Sequence, residues 1–210
     1  MKIACLGSSS VEGVGDQFGL GWVGRISCHL AKNNELNKYR VFNLGLKGEF
    51  LDGTIERYKT EVLKRRPHLV LIFTGTNDCS TYTDEDGVVL RKADAYAYLD
   101  KWNKFADILK SAEHQTIILG PTMVDESKGP ETTSKGLTVE FKSEDVYNYH
   151  RDLKLLCEKH ELRFLDLYEL FANDLSGNAS DFVHPNETGY DLIFNRIMDY
   201  LEEEGLLDEK

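Results

Sequence analysis

The amino terminus lacks an apolar core of the length a leader needs. MKIACLGSSS offers only four consecutive apolar residues before Gly7, against about 7 to 15 for a signal peptide and about 20 for a spanning helix. The expectation is a cytoplasmic protein, or one already stripped of a leader. Positive charge is also short: 25 Lys and Arg stand against 36 Asp and Glu, a net charge of −11. That balance repels phosphate backbones and anionic lipid, so neither nucleic acid nor a membrane is an expected partner. The four cysteines, Cys5, Cys28, Cys79 and Cys157, form no CxxC pair. They read as buried reduced thiols rather than a disulfide framework or a zinc site. No internal repeat, low-complexity tract or linker marks a domain boundary, and 210 residues suit one domain over 1–210.

What is present is an ordinary globular composition, 41% hydrophobic and 29% charged, which excludes disordered, collagen-like and coiled-coil chains. Short β-type apolar runs alternate with longer segments of helical period, the pattern of a parallel sheet covered by helices on both faces. Five strands are expected at 2–6, 39–44, 68–74, 116–119 and 163–166, and helices near 21–31, 53–65, 93–112, 144–160 and 187–204. In the third helix Ala97, Leu99, Trp102, Phe105, Ala106 and Leu109 recur at three- and four-residue steps and form the expected core stripe. The polar stretch 121–143 reads as a long loop, and so long a loop in a compact domain is usually functional.

Four polar clusters follow strands: Gly7-Ser8-Ser9-Ser10, Asn43-Leu44-Gly45-Leu46-Lys47-Gly48, Gly75-Thr76-Asn77-Asp78 and, near the end, Asp181-Phe182-Val183-His184-Pro185. In an open α/β sheet all would lie at the carboxyl edge, where ligands bind. Taken singly each has a structural reading. Ser9 can cap a helix, Asn77 and Asp78 can make a turn, Gly45 and Gly48 can mark another, and His184 can be a solvated cap. Gly13 and Gly15 extend the first loop toward a phosphate-binding turn, but neither GxGxxG nor GxxxxGK[ST] is there. There is no GxSxG elbow either.

Taken together, in this order and spacing, the four clusters resemble the blocks of the SGNH, or GDSL, family of serine esterases and lipases. The resemblance spans nearly the whole chain. It implies a flavodoxin-like, three-layer α/β/α fold on a five-stranded parallel sheet, with Ser9 as nucleophile, His184 as base and Asp181 as its orienting carboxylate. Ser9, Gly48 and Asn77 become the oxyanion donors. The chemistry agrees: a serine hydroxyl needs an imidazole to take its proton, the imidazole needs a carboxylate to fix its tautomer, and the oxyanion needs converging N–H donors. The family's GDS is here Gly7-Ser8-Ser9, so a serine precedes the nucleophile in place of aspartate.

The expected activity is cleavage of short-chain O-acyl esters, acetylated carbohydrate among them, through an acyl-enzyme, with no cofactor and no metal. The polar loop 121–143 has few large apolar residues to cover a fatty chain. A lysophospholipase or thioesterase is the nearest alternative, a catalytically impaired binding module on the same fold the next, and a flavodoxin-like nucleotide binder the third. A small-molecule ester is the expected partner, with homo-oligomer formation left open. The remaining histidines and the acidic stretch of Glu202, Glu203, Glu204, Asp208 and Glu209 are assigned no chemistry, the latter reading as a solvated face.

Overall fold

In the computed structural model, which describes residues 1–33, 38–91 and 94–207, the five apolar runs pair side by side. The strands in chain order are β1 (Lys2–Gly7), β2 (Arg40–Gly45), β3 (Leu69–Phe73), β4 (Ser80–Thr83), β5 (Val89–Arg91), β6 (Gln115–Leu119), β7 (Glu131–Thr132), β8 (Thr138–Phe141) and β9 (Arg163–Leu165). The main sheet is parallel with order β2-β1-β3-β6-β9. Counted as five parallel strands this is 2-1-3-4-5, the doubly wound order expected. Every residue of β3 is buried, as a central strand covered on both faces requires.

The helices are α1 (Ser9–Glu12), α2 (Gly21–Asn33), α3 (Leu51–Arg57) running through a wider turn over Tyr58–Val62 into α4 (Leu63–Arg65), α5 (Ala95–Lys110), α6 (Ser143–Lys159), α7 (Leu175–Asn178) and α8 (Glu187–Glu203). Side chains alternate across the strands and so feed two cores. Ile3, Cys5, Leu69, Leu71 and Ile117 pack on Trp22 and Ile26 of α2 and on Ile193 and Ile197 of α8. Ala4, Leu6, Val70, Ile72 and Ile118 pack on Trp102 and Phe105 of α5 and on Tyr149 and Leu153 of α6. The expected start of the α5 region at Ala93 lies outside the described residues. Its stripe needs one correction: Ala97 is exposed and Tyr98 is buried in its place.

The stretch 121–143 is not a long loop. It contains a short helical turn (Glu126–Lys128) and the strands β7 and β8, which join β4 and β5 in a second, antiparallel sheet of order β5-β4-β8-β7. Along β8 Val139 and Phe141 are buried while Thr138 and Glu140 are partly exposed, the alternation of a strand with one covered face. The thiol expectation also needs amending. All four cysteines are free, yet Cys28 is exposed. Glu202, Glu203 and Glu204 are exposed as expected, whereas Asp208 and Glu209 lie outside the described residues. No helix among those residues is long and apolar enough to cross a membrane.

One buried carboxylate ties the chain after α1 to α2. Asp16 accepts the backbone N–H of Phe18, Leu20 and Gly21 and pairs with Arg25. Burial opposes its charge, but the Arg25 guanidinium and these amides outweigh that and hold the carboxyl below its ordinary value. Its stabilising contribution is therefore present above the unfolded carboxyl value near ~3.9 and is lost as pH falls through the lower folded value. Asp16→Ala should cost about 2 kcal/mol by removing the acceptor at the start of α2 and one of the two carboxylates on Arg25, which keeps Asp191. Urea unfolding from pH 7 to 3 checks this, and Asp16→Asn should show a shallower acid loss than wild type.

Candidate active site

The geometry starts where β1 runs into α1. Ser8 is the N-cap residue, and it caps with its carbonyl alone, which accepts from Val11 and Glu12 (both 3.1 Å). Ser9 is thus the first helical residue, and its own N–H lies in the turn where a helix has no internal acceptor. Its hydroxyl is not used as a cap. Ser9 Oγ lies 2.9 Å from Nε2 of His184, which is 175 residues away in the chain.

His184 is held by its own loop. Nδ1 lies 2.7 Å from Oδ2 of Asp181, while Oδ1 of that carboxylate accepts the backbone N–H of Val183 (2.8 Å) and His184 (2.7 Å). The three-residue spacing closes this turn, and the Ser180 N–H donates to the His184 carbonyl at 2.8 Å. A carboxylate on Nδ1 fixes the proton there and leaves Nε2 as the acceptor facing Ser9. Burial opposes the charge of Asp181, but the His184 ring and the two amides prevail and hold its carboxyl below the ordinary value. Asn186 then caps α8, its Oδ1 accepting from Gly189 at 3.0 Å.

Opposite Ser9 lies the loop after β2. Along it Leu46 N–H donates to Gly7 O, Lys47 N–H to the Glu12 carboxylate, Glu49 N–H to Leu46 O and Leu51 N–H to Asp78 Oδ2. The Gly48 N–H has no acceptor among the described residues. Gly48 holds φ at +76°, a left-handed conformation that favours glycine. Asn77, in the turn Thr76–Cys79 after β3, gives one amide hydrogen to Glu49 O at 2.8 Å. A carboxamide has two such hydrogens, so this bond aims the group while the other hydrogen stays available.

Asp78 is more than the turn residue the sequence suggested. It is buried, and besides accepting from Leu51 at 2.9 Å it faces Arg91 at 3.4 Å. Burial pushes its carboxyl up. Asn77 and Asp78 together fasten the turn after β3 to the start of α3. Sequence reasoning also missed Lys128. Its Nζ donates at 2.6 Å to the carbonyls of both Ser176 and Ala179, just ahead of the Asp181 turn, and nearby the Asp125 N–H donates to Phe182 O. Neither residue's contact had a local sequence signal, since both act on partners remote in the chain.

Ser9, Gly48, Asn77, Asp181 and His184 all line one cleft of about 540 Å³. The second sheet supplies much of its wall through Tyr82, Glu131, Val139 and Phe141. The wall therefore carries more large apolar side chains than the polar composition of 121–143 suggested. Among the described residues no group of three His, Cys, Asp or Glu could hold a metal ion. His150 and His160 each face a carboxylate, Asp166 and Asp107, at 3.5 Å, and neither lines this cleft.

Residues 5–192 match the GDSL-like Lipase/Acylhydrolase family. An isoamyl acetate-hydrolyzing esterase of Saccharomyces cerevisiae is 24% identical over 202 residues, covering 91% of this chain and 78% of its own. Among solved structures, a lipase/acylhydrolase from Enterococcus faecalis superposes with a TM-score of 0.74 at 20% identity, covering 97% of this chain and 96% of its own. An acetylxylan esterase from Geobacillus stearothermophilus does so at 0.72 and 18%, covering 100% and 94%. These two share the doubly wound fold with the present chain. The family match spans the chain from within β1 to within α8 and encloses all four polar clusters: the chain belongs to the GDSL-like lipase/acylhydrolase family and is an ester-cleaving enzyme of that family.

Proposed function

We propose that the protein, as one domain over 1–210, is a serine esterase that cleaves short-chain O-acyl esters, acetylated carbohydrate foremost, through an acyl-enzyme on Ser9. The observation that carries this reading is the continuous relay from Ser9 Oγ through His184 to Asp181, at 2.9 and 2.7 Å. Ser9 Oγ attacks the ester carbonyl while His184 Nε2 takes its proton. The oxyanion that forms is held by the N–H groups of Ser9 and Gly48 and by the Asn77 amide. Collapse breaks the bond to the alcohol, which leaves with the proton from His184. Water, deprotonated by the same imidazole, then attacks the acyl-enzyme and releases the acid and Ser9.

The cleft walls offer the acyl group an apolar side and the alcohol a polar one. Val139, Phe141, Phe182 and Val183 form an apolar portion, and Lys47, Glu131, Thr133 and Ser134 a polar one. Two of the similar proteins are named for acetyl esters, isoamyl acetate and acetylated xylan, which supports the acetyl choice. An aryl-ester series from two to sixteen acyl carbons tests it, with Ser9→Ala as the blank. The expected kcat/KM is highest at two to four carbons. A maximum at eight or more would replace this reading with that of a lysophospholipase or thioesterase.

The oxyanion role has its own prediction. Asn77→Ala should lower kcat by about 10² to 10³, or roughly 3 to 4 kcal/mol of barrier, and lower stability by about 1 kcal/mol through loss of the buried bond to Glu49 O. Asn77→Asp should be at least as damaging, because a carboxylate would face both that carbonyl and the developing charge. Steady-state kinetics beside thermal melts separate the two effects. A turn residue would show the melting change without the kinetic one.

A further inference from the structure

The acidic side chain one turn beyond Ser9 is turned onto the opposite loop of the cleft. Glu12 closes α1, three residues after Ser9. It forms no ion pair among the described residues, and its Oε2 accepts the backbone N–H of Lys47 at 2.6 Å. The two segments also touch through backbone. A Cβ on Gly45 would lie 2.0 Å from Glu12 N, so only glycine lets the end of β2 approach α1 this closely. Asn43 reinforces the junction, its Nδ2 donating to Glu12 O at 3.4 Å while its Oδ1 accepts from Gly45 N at 2.9 Å.

The consequence falls on Gly48. Peptide units are rigid planes joined at Cα atoms, and the unit carrying the Gly48 N–H lies between two that are fixed. On one side the plane carrying the Lys47 N–H is held by Glu12, and on the other the plane carrying the Glu49 N–H is held by Leu46 O at 3.2 Å. Asn77 grips the next carbonyl, Glu49 O. Of these restraints, the Glu12 bond is a single side chain on an exposed loop and has no backbone substitute.

Resting on the esterase reading above, we propose that Glu12 is a positioning residue of the oxyanion hole: its carboxylate, carried on the helix of the nucleophile, orients the loop so that the Gly48 N–H meets the oxyanion formed at Ser9. It touches no reacting atom. What it contributes is registry between the group that attacks and a group that stabilises the product of attack. Misplacement of a donor by a fraction of an ångström to about 1 Å can reduce rate by one to two orders of magnitude.

The test uses three variants of the full chain and two readouts, kcat and KM for an aryl acetate and the Ki of an acetyl-like trifluoromethyl ketone, which forms a hemiketal oxyanion on the serine. Glu12→Gln keeps an oxygen at the same reach and should hold kcat and Ki within about three-fold of wild type. Glu12→Asp keeps the charge but falls a methylene short of Lys47. It should lower kcat and raise Ki by about 10- to 50-fold in parallel, with KM little changed, and Glu12→Ala should do the same. An order of Gln near wild type with Asp impaired is the signature of the hydrogen bond. It is also the reverse of what a role for the charge would give, and Glu12→Asp decides the matter should the alanine variant fail to fold. Asp at wild-type kcat and Ki, or Gln as impaired as Asp, overturns the proposal. A wild-type protein that neither hydrolyses the ester nor binds the ketone overturns the esterase reading instead.

Discussion

Ser9→Ala and His184→Ala should each lower kcat for an aryl acetate by about 10⁶, and the double variant should be no worse than either single one. In serine hydrolases the nucleophile and its base act as one unit, so removing either abolishes the same step, and what survives is the catalysis owed to binding and the oxyanion donors. Here the unit is the contact of 2.9 Å between Ser9 Oγ and His184 Nε2. Steady-state kinetics of the three variants, each with its melting temperature, check the expectation. Additive losses in the double variant would mean that Ser9 and His184 work in separate steps. A Ser9→Ala enzyme with more than a few per cent of wild-type kcat would mean that another group attacks the ester.

Asp181→Asn carries the next largest effect, a fall in kcat of about 10⁴ by analogy with the triad carboxylate of serine proteases. The geometry explains why so small a change is so costly. One carboxylate oxygen is occupied by the amides of Val183 and His184 and the other by the imidazole. An asparagine must keep its oxygen on the two backbone donors, so its NH₂ turns toward Nδ1. That side then becomes an acceptor, the proton moves to Nε2, and the ring presents a donor to Ser9 in place of an acceptor. The fold should survive, because the backbone bonds are retained. The wild-type carboxyl is held below its ordinary value by its partners, so its contribution to stability is present above about 3.9, the unfolded value, and is lost only as pH falls through the lower folded one. An Asn variant within ten-fold of wild-type kcat would demote Asp181 to a loop brace.

The three residues of the proposed triad were singled out because their signals are local and stereotyped. A serine cluster directly after a buried strand and a DxxHP turn ahead of a helix each have a fixed backbone consequence, and the structure brings Ser9, His184 and Asp181 within hydrogen-bond reach. The five parallel strands were legible for the same reason, as apolar runs covered on both faces. The second sheet was not. Its strands are two to four residues long, and its central pairing joins Ser80 to Phe141 and Thr83 to Thr138, partners too distant in sequence for periodicity to reveal. A trace was there in the alternation of Val139 and Phe141, masked by the Gly, Ser, Thr and Lys around it. The contacts of Glu12, Asp78 and Lys128 were invisible in a stricter sense, because each is made to a backbone group of another segment and no residue pattern encodes that. Ala97 shows the reverse error. It fits the helical stripe by spacing, but the neighbouring Tyr98 occupies the core, its ring edge-on to Tyr149 at 4.8 Å.

The central claim is that Ser9 forms a covalent bond with the acyl group, and the most direct measurement is the mass of the protein after reaction with a fluorophosphonate, followed by peptide mapping. The account predicts one adduct per chain, on the peptide that carries Ser9, formed at a rate that falls sharply in His184→Ala and absent from Ser9→Ala. A protein that hydrolyses esters yet gains no mass, or that carries the adduct on any other residue, would contradict it.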